Sequence, residues 1–275
     1  MRRRLVALCV LLAALIGLGF AIAGVRDRGP KKTPTVAAAP KPFRIVFPEG
    51  FTRVDMASRV RSVAEIAARE RRRAPRLGEQ AYLAASAGKR FIPGFGRRRL
   101  EGFLFPATYQ FTGRTTSGQL VAAQLRAFRR NWRTINLAYA RSKNLTPYDV
   151  LTIASMVEKE AVAPDERPKI ARVIYNRLHE RMPLQIDATT RYGFHVPGTQ
   201  SLLLSQLNSD NPYNTRKVVG LPPTPIANPG LASIQAAAHP IAGDWLYFVR
   251  KPDKVHHFFT ASERAFNDYK NAHGF

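Results

Sequence analysis

The sequence has almost no cysteine and few acidic residues. Its one cysteine, Cys9, excludes an intramolecular disulfide, so cysteine usage says nothing about the redox compartment. Only 19 residues are Asp or Glu, against 43 Lys and Arg, which leaves a net charge of +24. A positive field this strong indicates an anionic neighbour: nucleic acid, an anionic membrane surface or an acidic polymer. No internal repeat is present.

One long hydrophobic run is present, from Leu5 to Val25, and it follows three arginines. At a rise of about 1.5 Å per residue it is long enough to cross a bilayer core of about 30 Å. Because positive residues stay in the cytoplasm, the rest of the chain is expected outside. Residues 21–23 also resemble a cleavage site, so a cleaved signal peptide is the alternative. Either way the bulk of the protein is expected to be exported, which counts against nucleic acid as the partner.

The sequence predicts four parts. Residues 1–28 form a short cytoplasmic tail and a transmembrane anchor, and residues 29–42 form a proline-rich linker. Residues 43–96 form a small α/β subdomain, in which a strand and a turn precede basic helices. Residues 97–275 form a larger domain that mixes helices with a late hairpin, so the expected fold class is α+β.

Local signals predict several elements of the larger domain. Thr146, Pro147 and Asp149 have the positions of an N-cap, a first helical residue and a capping-box partner. The helix that they start is expected to run to about residue 163. Apolar spacing predicts further helices over residues 117–132 and 168–181, and a hairpin over residues 245–249 and 256–260.

Two carboxylates, Glu158 and Glu160, lie on the last part of this helix, on opposite flanks of its apolar stripe. A carboxyl group at the edge of an apolar face is costly to bury. That cost raises its pKa towards the value that a general acid needs at neutral pH. Geometry alone hardly separates the two glutamates, although Glu160 lies slightly nearer the centre of the stripe. The alternative is that both are solvated, with Lys159 as their neighbour.

Several sequence blocks resemble, in the same order, those of one protein family. They are residues 100–109 (LEGFLFPATY), 154–160 (ASMVEKE), 173–178 (VIYNRL), 184–189 (LQIDAT), 213–215 (YNT), 220–230 (GLPPTPIANPG) and 236–240 (AAAHP). With residues 46–50 (VFPEG) they cover roughly residues 43 to 270. The family is that of the membrane-anchored endolytic murein transglycosylases, called YceG-like or MltG. Several long blocks together are far more specific than one short motif.

The resemblance implies an enzyme with a lysozyme-like mixed α+β catalytic domain, preceded by a LysM-like subdomain. Such an enzyme cuts the β-1,4 bond between N-acetylmuramic acid and N-acetylglucosamine inside peptidoglycan strands and leaves a 1,6-anhydro end. One carboxylic acid protonates the leaving oxygen and then takes the proton of the sugar's C6 hydroxyl, so paired carboxylates are not required. In lytic transglycosylases a small residue typically follows the catalytic glutamate, which favours Glu160, followed by Ala161, over Glu158.

The resemblance also implies a substrate-binding surface around Glu160. Gln185, Asp187 and Thr189 would project to one face of a strand and line a groove for sugar hydroxyl and acetamido groups. The alternative is a polar ladder on a sheet surface. Tyr213 and Asn214 are expected to stabilise the oxocarbenium ion or to hold an N-acetyl group, unless they form a turn.

Three further residues complete the expected site. Glu158 becomes a supporting carboxylate, while Glu101 and Tyr109 either close the cleft or pack inside the protein. No cofactor is expected. No metal is expected either, because the adjacent His256 and His257 would face opposite ways in a strand.

The expected location is the bacterial inner membrane, crossed once, with the catalytic domain on the outer side. The expected partners are peptidoglycan glycan strands, the membrane and possible peptidoglycan synthases beside which growing strands are ended; nucleic acid is not expected. Two alternatives stay open. One is a muramidase-type hydrolase in which Glu158 or Asp187 activates a water molecule, and the other is a non-catalytic glycan-binding or scaffold protein of the envelope.

Overall fold

The computed structural model describes residues 42–72 and 74–274, in which helices and short antiparallel strands alternate along the chain. The strands are β1 (Phe43–Val46), β2 (Lys89–Ile92), β3 (Gly96–Arg99), β4 (Thr108–Phe111), β5 (Tyr247–Arg250) and β6 (His257–Thr260). The helices are α1 (Arg53–Arg71), α2 (Glu79–Ser86), α3 (Ser117–Trp132), α4 (Ala138–Ser142), α5 (Pro147–Glu160), α6 (Arg167–His179), α7 (Asp187–Phe194), α8 (Leu204–Leu207), α9 (Leu231–Ala238) and α10 (Glu263–His273). This is the α+β class that the sequence predicts.

The first half of the described chain runs from β1 through α1, α2 and the β2–β3 hairpin to β4. Strand β1 pairs antiparallel with β4, which sets Phe43 opposite Phe111. Between them α1 begins at the N-cap Thr52, whose side chain and that of Asp55 form a capping box. The partner of the first strand therefore lies beyond residue 96, where the sequence suggests a domain boundary. That boundary stays a prediction, and residues 41–275 form one compact unit.

An aromatic core fills this unit. The Phe103 ring is fully buried, with ring centroids of Phe95 and Phe128 at 4.9 and 5.0 Å. Both contacts are edge-to-face, the arrangement that the charge distribution of aromatic rings favours. The core extends to Leu151 on α5, so the first half of the chain is packed directly onto that helix.

Helix α5 belongs to two hydrophobic cores at once. Every residue from Val150 to Val157 is buried, with Leu151 in the first core and Ile153 in the second. Its start agrees with the prediction, because the side chains of Thr146 and Asp149 cap each other's backbone N–H groups around Pro147. The middle of the helix is surrounded by protein, and after Val157 the residues of its last turn are again partly or fully exposed.

The second core is formed where α6 and α9 pack on α5. The β5–β6 hairpin attaches to α6 through polar side chains: Asn176 Nδ2 donates to Trp245 O at 2.8 Å and Arg177 Nε donates to Leu246 O at 2.6 Å. These bonds hold the hairpin, and Arg250 at the end of β5, beside the helical core.

The strand predicted for residues 185–189 is wrong. Gln185 has a positive φ of 56°, Ile186 is an N-cap, and α7 starts at Asp187. A strand needs a ladder of backbone hydrogen bonds to a neighbouring strand. Here the backbone N–H groups of Gln185 and Ile186 both bond to the same residue, because Gln185 N donates to Thr215 O and Ile186 N donates to Thr215 Oγ1. Gln185, Asp187 and Thr189 therefore do not project to one face of a sheet.

The predicted anchor over residues 1–28 lies outside the described residues, as does all but the last residue of the predicted linker over residues 29–42. Within residues 42–72 and 74–274, no helix is both long and apolar enough to cross a membrane.

Substitution of Gly102 tests how closely the first half of the chain packs against the second. It has a φ of +88°, and an added Cβ would lie 2.7 Å from Pro225 Cγ. Gly94 has a similar φ of +82° with no atom within 4 Å of an added Cβ, so Gly94→Ala carries the backbone strain without the clash. We expect Gly102→Ala to lower the free energy of unfolding by about 1–3 kcal/mol more than Gly94→Ala, measured by urea denaturation. Equal losses in the two variants would contradict this fit.

Candidate active site

Glu160 ends helix α5 and is half-buried, with its carboxylate left without a protein partner. Within the described residues it accepts no hydrogen bond and forms no salt bridge. Burial raises the pKa of Glu160 to about 7, and the charge of Arg250 opposes that rise. The negative charge of Asp187 adds to the rise, and Lys159 and Arg191 act against it. A carboxyl group with a pKa near 7 can give up and take back a proton at neutral pH.

Glu158, two residues earlier, is fully engaged. Its Oε2 accepts a hydrogen bond from Gly230 N at 3.0 Å, and its Oε1 lies 3.9 Å from Arg167 Nη2. Gly230 is the N-cap of α9, so the carboxylate sits where a helix presents free N–H groups and the positive end of its dipole. The structure thus separates two glutamates that the helical wheel left almost equivalent. Glu158 fastens α9 to α5, and the Glu160 carboxylate has no hydrogen-bond or salt-bridge partner among the described residues.

Glu101 is a third carboxylate and lies inside the protein. Its oxygens accept hydrogen bonds from Arg53 N at 3.0 and 3.2 Å, Asn228 Nδ2 at 2.8 Å and Tyr192 OH at 3.3 Å. Burial raises the pKa of Glu101 to about 7, and the bond from Arg53 N is the main opposing influence. Of the two roles expected for Glu101, its position matches packing inside the protein.

Asn228 was not singled out as a site residue by the sequence, although it lies in the 220–230 block. It is fully buried, and its Nδ2 donates to Phe51 O at 2.9 Å as well as to Glu101. Its Oδ1 accepts from Leu104 N at 2.9 Å. Its place in that block was the only signal in the sequence, and it does not single out Asn228 from the other residues of the block.

Two of the expected substrate-binding residues, Thr189 and Asn214, are fully buried and bonded inside the protein. Thr189 Oγ1 lies 2.9 Å from Thr215 Oγ1, and Asn214 Nδ2 donates to the carbonyls of Leu207 and Ser209 at 2.9 and 2.8 Å. In this structure they fix the loop that faces α7.

Three other expected residues are exposed or partly exposed. Asp187 is half-exposed and pairs with Arg216, whose Nη2 lies 2.7 Å from its Oδ1. Gln185 is exposed and its Oε1 accepts from Arg177 Nη1 at 3.1 Å. Tyr213 is half-buried, with its hydroxyl 2.9 Å from Thr224 Oγ1. Of these residues, Asp187 is the one whose charge acts on Glu160.

Tyr109 lies in the first core. Its hydroxyl donates to Phe105 O at 2.7 Å, and its ring packs 6.0 Å from that of Phe47. Its position therefore matches packing rather than closure of a cleft.

The hairpin contributes residues that the sequence did not indicate. Arg250 acts on the pKa of Glu160 more strongly than any other charged group, and nothing distinguished it among the 43 basic residues. It lies opposite His257 in the β5–β6 ladder. His257 Nδ1 lies 2.7 Å from Glu166 Oε2, and both side chains are buried. This pair fastens the hairpin, and with it Arg250, to the turn that follows α5.

His256 and His257 do not share a partner. His256 Nδ1 lies 2.9 Å from Asp253 Oδ2 on the exposed side, while His257 binds Glu166. In the part of the chain that the structure describes, no group of three or more His, Cys, Asp or Glu could hold a metal ion.

Comparisons with known proteins show the family of this chain. Residues 31–272 match the model of the YceG-like family, and the chain belongs to that family. A protein of Bacillus subtilis strain 168 named endolytic murein transglycosylase is 43% identical over 155 residues, which are 55% of this chain and 42% of the relative. A protein of the same name from Streptococcus pneumoniae R6 is 42% identical over 159 residues, 56% of this chain and 28% of the relative.

A solved structure shares the fold. A YceG-like protein of Listeria monocytogenes is 29% identical with a TM-score of 0.67, and the match covers 82% of this chain and 76% of that one. The matched part of the chain spans less than half the length of the two curated relatives.

The raised pKa of Glu160 predicts an effect on stability. Because the folded-state pKa of about 7 exceeds the ordinary 4.5, ionising this carboxyl destabilises the folded protein. The loss is absent below pH 4.5, grows between 4.5 and 7, and is complete above 7. We expect Glu160→Gln to raise the free energy of unfolding by about 2 kcal/mol at pH 8 and to leave it unchanged at pH 4. Urea denaturation at both pH values measures this.

The matched control is Glu65→Gln, which changes an exposed glutamate on α1. It should leave stability unchanged at both pH values. A Glu160→Gln protein that is no more stable at pH 8 than the control would contradict the assignment of a raised pKa.

Proposed function

We propose that this protein is an endolytic lytic transglycosylase of peptidoglycan. It cleaves the β-1,4 bond between N-acetylmuramic acid and N-acetylglucosamine in nascent strands and leaves 1,6-anhydro-N-acetylmuramic acid ends. The observation that carries the proposal is Glu160, a half-buried carboxyl group with a pKa near 7 and no protein partner. Relatives that are 41–43% identical over 155–159 residues bear the name endolytic murein transglycosylase, which supports it.

In the first step, protonated Glu160 gives its proton to the glycosidic oxygen while the bond from that oxygen to C1 breaks. In the second, the Glu160 carboxylate takes the proton of the C6 hydroxyl as its oxygen bonds to C1 and closes the anhydro ring. The proton count balances, and no water is consumed. A pKa near 7 suits a group that must act as acid and then as base.

The competing reaction is hydrolysis by a second carboxylate. Glu158 and Glu101 are engaged in internal bonds, so Asp187 is the candidate base. Its charge acts on Glu160, which is the observation in favour of hydrolysis. Against it, Asp187 is paired with Arg216 at 2.7 Å. A paired carboxylate is less available to activate water.

Product analysis tests the reaction. The full chain in detergent is incubated with uncrosslinked glycan strands, and mass spectrometry identifies the new ends. We expect anhydro ends from the wild type and from Asp187→Asn, and a loss of at least about a thousandfold in Glu160→Gln, because general acid–base catalysis is removed.

Other results would indicate one of the alternative functions. Reducing ends that disappear in Asp187→Asn would mean a muramidase-type hydrolase. Strand binding without any new ends, equal in the wild type and Glu160→Gln, would mean a non-catalytic glycan-binding or scaffold protein.

The pH dependence of kcat/KM provides a separate test. The first step needs protonated Glu160, so we expect the rate to fall above a midpoint of about 7. Arg250→Gln removes a charge that lowers the pKa of Glu160, so the midpoint should move up; Asp187→Asn should move it down. Midpoints that do not respond to either change, or that move the opposite way, would rule out Glu160 as the titrating acid.

We further infer the setting in which this chemistry acts. Residues 1–28 anchor the chain in the bacterial inner membrane, and the catalytic domain, residues 97–275, lies on the outer side. The LysM-like subdomain, residues 43–96, grips the N-acetylated glycan. There the enzyme ends growing strands beside peptidoglycan synthases. The apolar run after three arginines supports the anchor, and a topology reporter fused after residue 275 tests the orientation.

A further inference from the structure

The β2–β3 hairpin carries five basic residues and no acidic one. From residue 87 to residue 100 the chain contains Lys89, Arg90, Arg97, Arg98 and Arg99 but neither Asp nor Glu. All five are exposed. Neither the fold nor the proposed chemistry requires so many positive charges on one hairpin.

The register of the hairpin sorts its residues onto two faces. In an antiparallel pair, residues directly opposite each other point to the same side, and neighbours along a strand alternate. Arg90 is opposite Arg98. The Arg98 guanidinium lies 4.3 Å from the centre of the Tyr148 ring, and that of Arg90 donates to Ala85 O. Together with buried Ile92, these residues form the side that faces the protein.

The other side, which we call the basic face, consists of Lys89, Phe91, Arg97 and Arg99. Phe91 lies opposite Arg97, and Lys89 lies opposite Arg99. The Phe91 side chain is 67% exposed. Like charges directly opposite each other destabilise a strand pair, and among the residues that the structure describes no carboxylate contacts any of these three cations. The repulsion between the cations of the basic face is therefore uncompensated within the protein, and an anionic partner would reduce it.

We propose that the basic face docks on an anionic lipid bilayer, with its three cations on the headgroup phosphates and Phe91 in the interface. An aromatic side chain surrounded by Lys and Arg suits this boundary, where a ring finds apolar contact and cations find negative charge. The face offers hydrogen-bond donors but no side-chain acceptor, so it lacks the carboxylates and amides that bind sugar hydroxyl groups. This inference concerns a surface away from Glu160 and does not depend on the proposed reaction.

The test reports the surroundings of position 91 in the full chain. With Cys9→Ser, the chain has no other cysteine, and Phe91→Cys is labelled with an environment-sensitive bimane dye. The protein is added to phosphatidylcholine vesicles with or without phosphatidylglycerol, and with doxyl-labelled lipid as quencher. We expect a blue shift and quenching in the anionic vesicles, both reversed by high salt because screening weakens charge attraction.

Two controls make the test specific to this face. A label at Leu204→Cys reports another exposed apolar position, 77% exposed, in a segment (residues 192–215) that contains no Lys or Arg, and it should not be quenched. Lys89→Gln/Arg97→Gln/Arg99→Gln should lower the docked-to-free ratio by about a hundredfold, since each basic residue contributes about fivefold. Arg114→Gln/Arg126→Gln/Arg129→Gln removes the same charge from exposed positions elsewhere and should leave the signal intact.

Four results would overturn the proposal. They are an unquenched label at position 91 in anionic vesicles, equal quenching at position 204, equal losses in the two charge variants, and a dye shift with purified glycan strands as large as with vesicles. Equal losses in the two charge variants would mean that net charge alone causes the binding. A shift with glycan strands as large as with vesicles would mean that the basic face binds the polymer. Far-UV circular dichroism of every variant verifies that the fold is kept.

Discussion

The buried side chain of Asn228 holds together the segments on which the rest of the structure depends. Its amide nitrogen donates to Phe51 O and Glu101, and its amide oxygen accepts from Leu104 N. In the low dielectric of the interior such bonds are strong, and an unpaired member is costly, so the group holds only as a complete set. Because α9 starts just after Asn228, the same set fixes the N–H group that Glu158 binds and thereby the last turn of α5.

Glu101, Glu158 and Glu160 show how environment decides the role of one residue type. Glu101 has donors on both oxygens and Glu158 has a helix N-terminus, so both are committed to structure. Glu160 is half-buried without a partner, which is unfavourable for the fold and useful for proton transfer. Burying the ionised Glu160 carboxylate lowers the stability of the folded protein, and the packing around it compensates for this loss.

The sequence predicted the elements that local chemistry dictates. Thr146, Pro147 and Asp149 marked the start of α5 because a capping box is encoded within four residues. Helix α3 and the β5–β6 hairpin also lie close to their predicted bounds. The last helical residue of α5 is Glu160 rather than about residue 163, since the backbone is already extended at Ala161.

What the sequence missed depends on distant partners. The alternation at residues 185–189 suggested a strand, but the neighbouring chain offers Thr215 alone instead of a ladder. Glu158 and Glu160 could not be separated from the wheel, because Gly230 is far away in the sequence. Asn228 and Arg250 gave no signal of their own for the same reason: their roles arise from contacts between remote segments.

The hydrogen bonds of Asn228 also join segments that are made at very different times during synthesis of the chain. Its bond to Phe51 O joins residues 177 positions apart, and its bond to Glu101 joins residues 127 apart. Closing such long loops is slow and loses chain entropy before any contact compensates for it. In a chain made from its N-terminus, the residues of α5 are therefore present well before Asn228 and Gly230. Asp187, Arg191 and Arg250, which act on the pKa of Glu160, all follow it in the sequence, so a chain made only as far as α5 carries this carboxyl group without those charges.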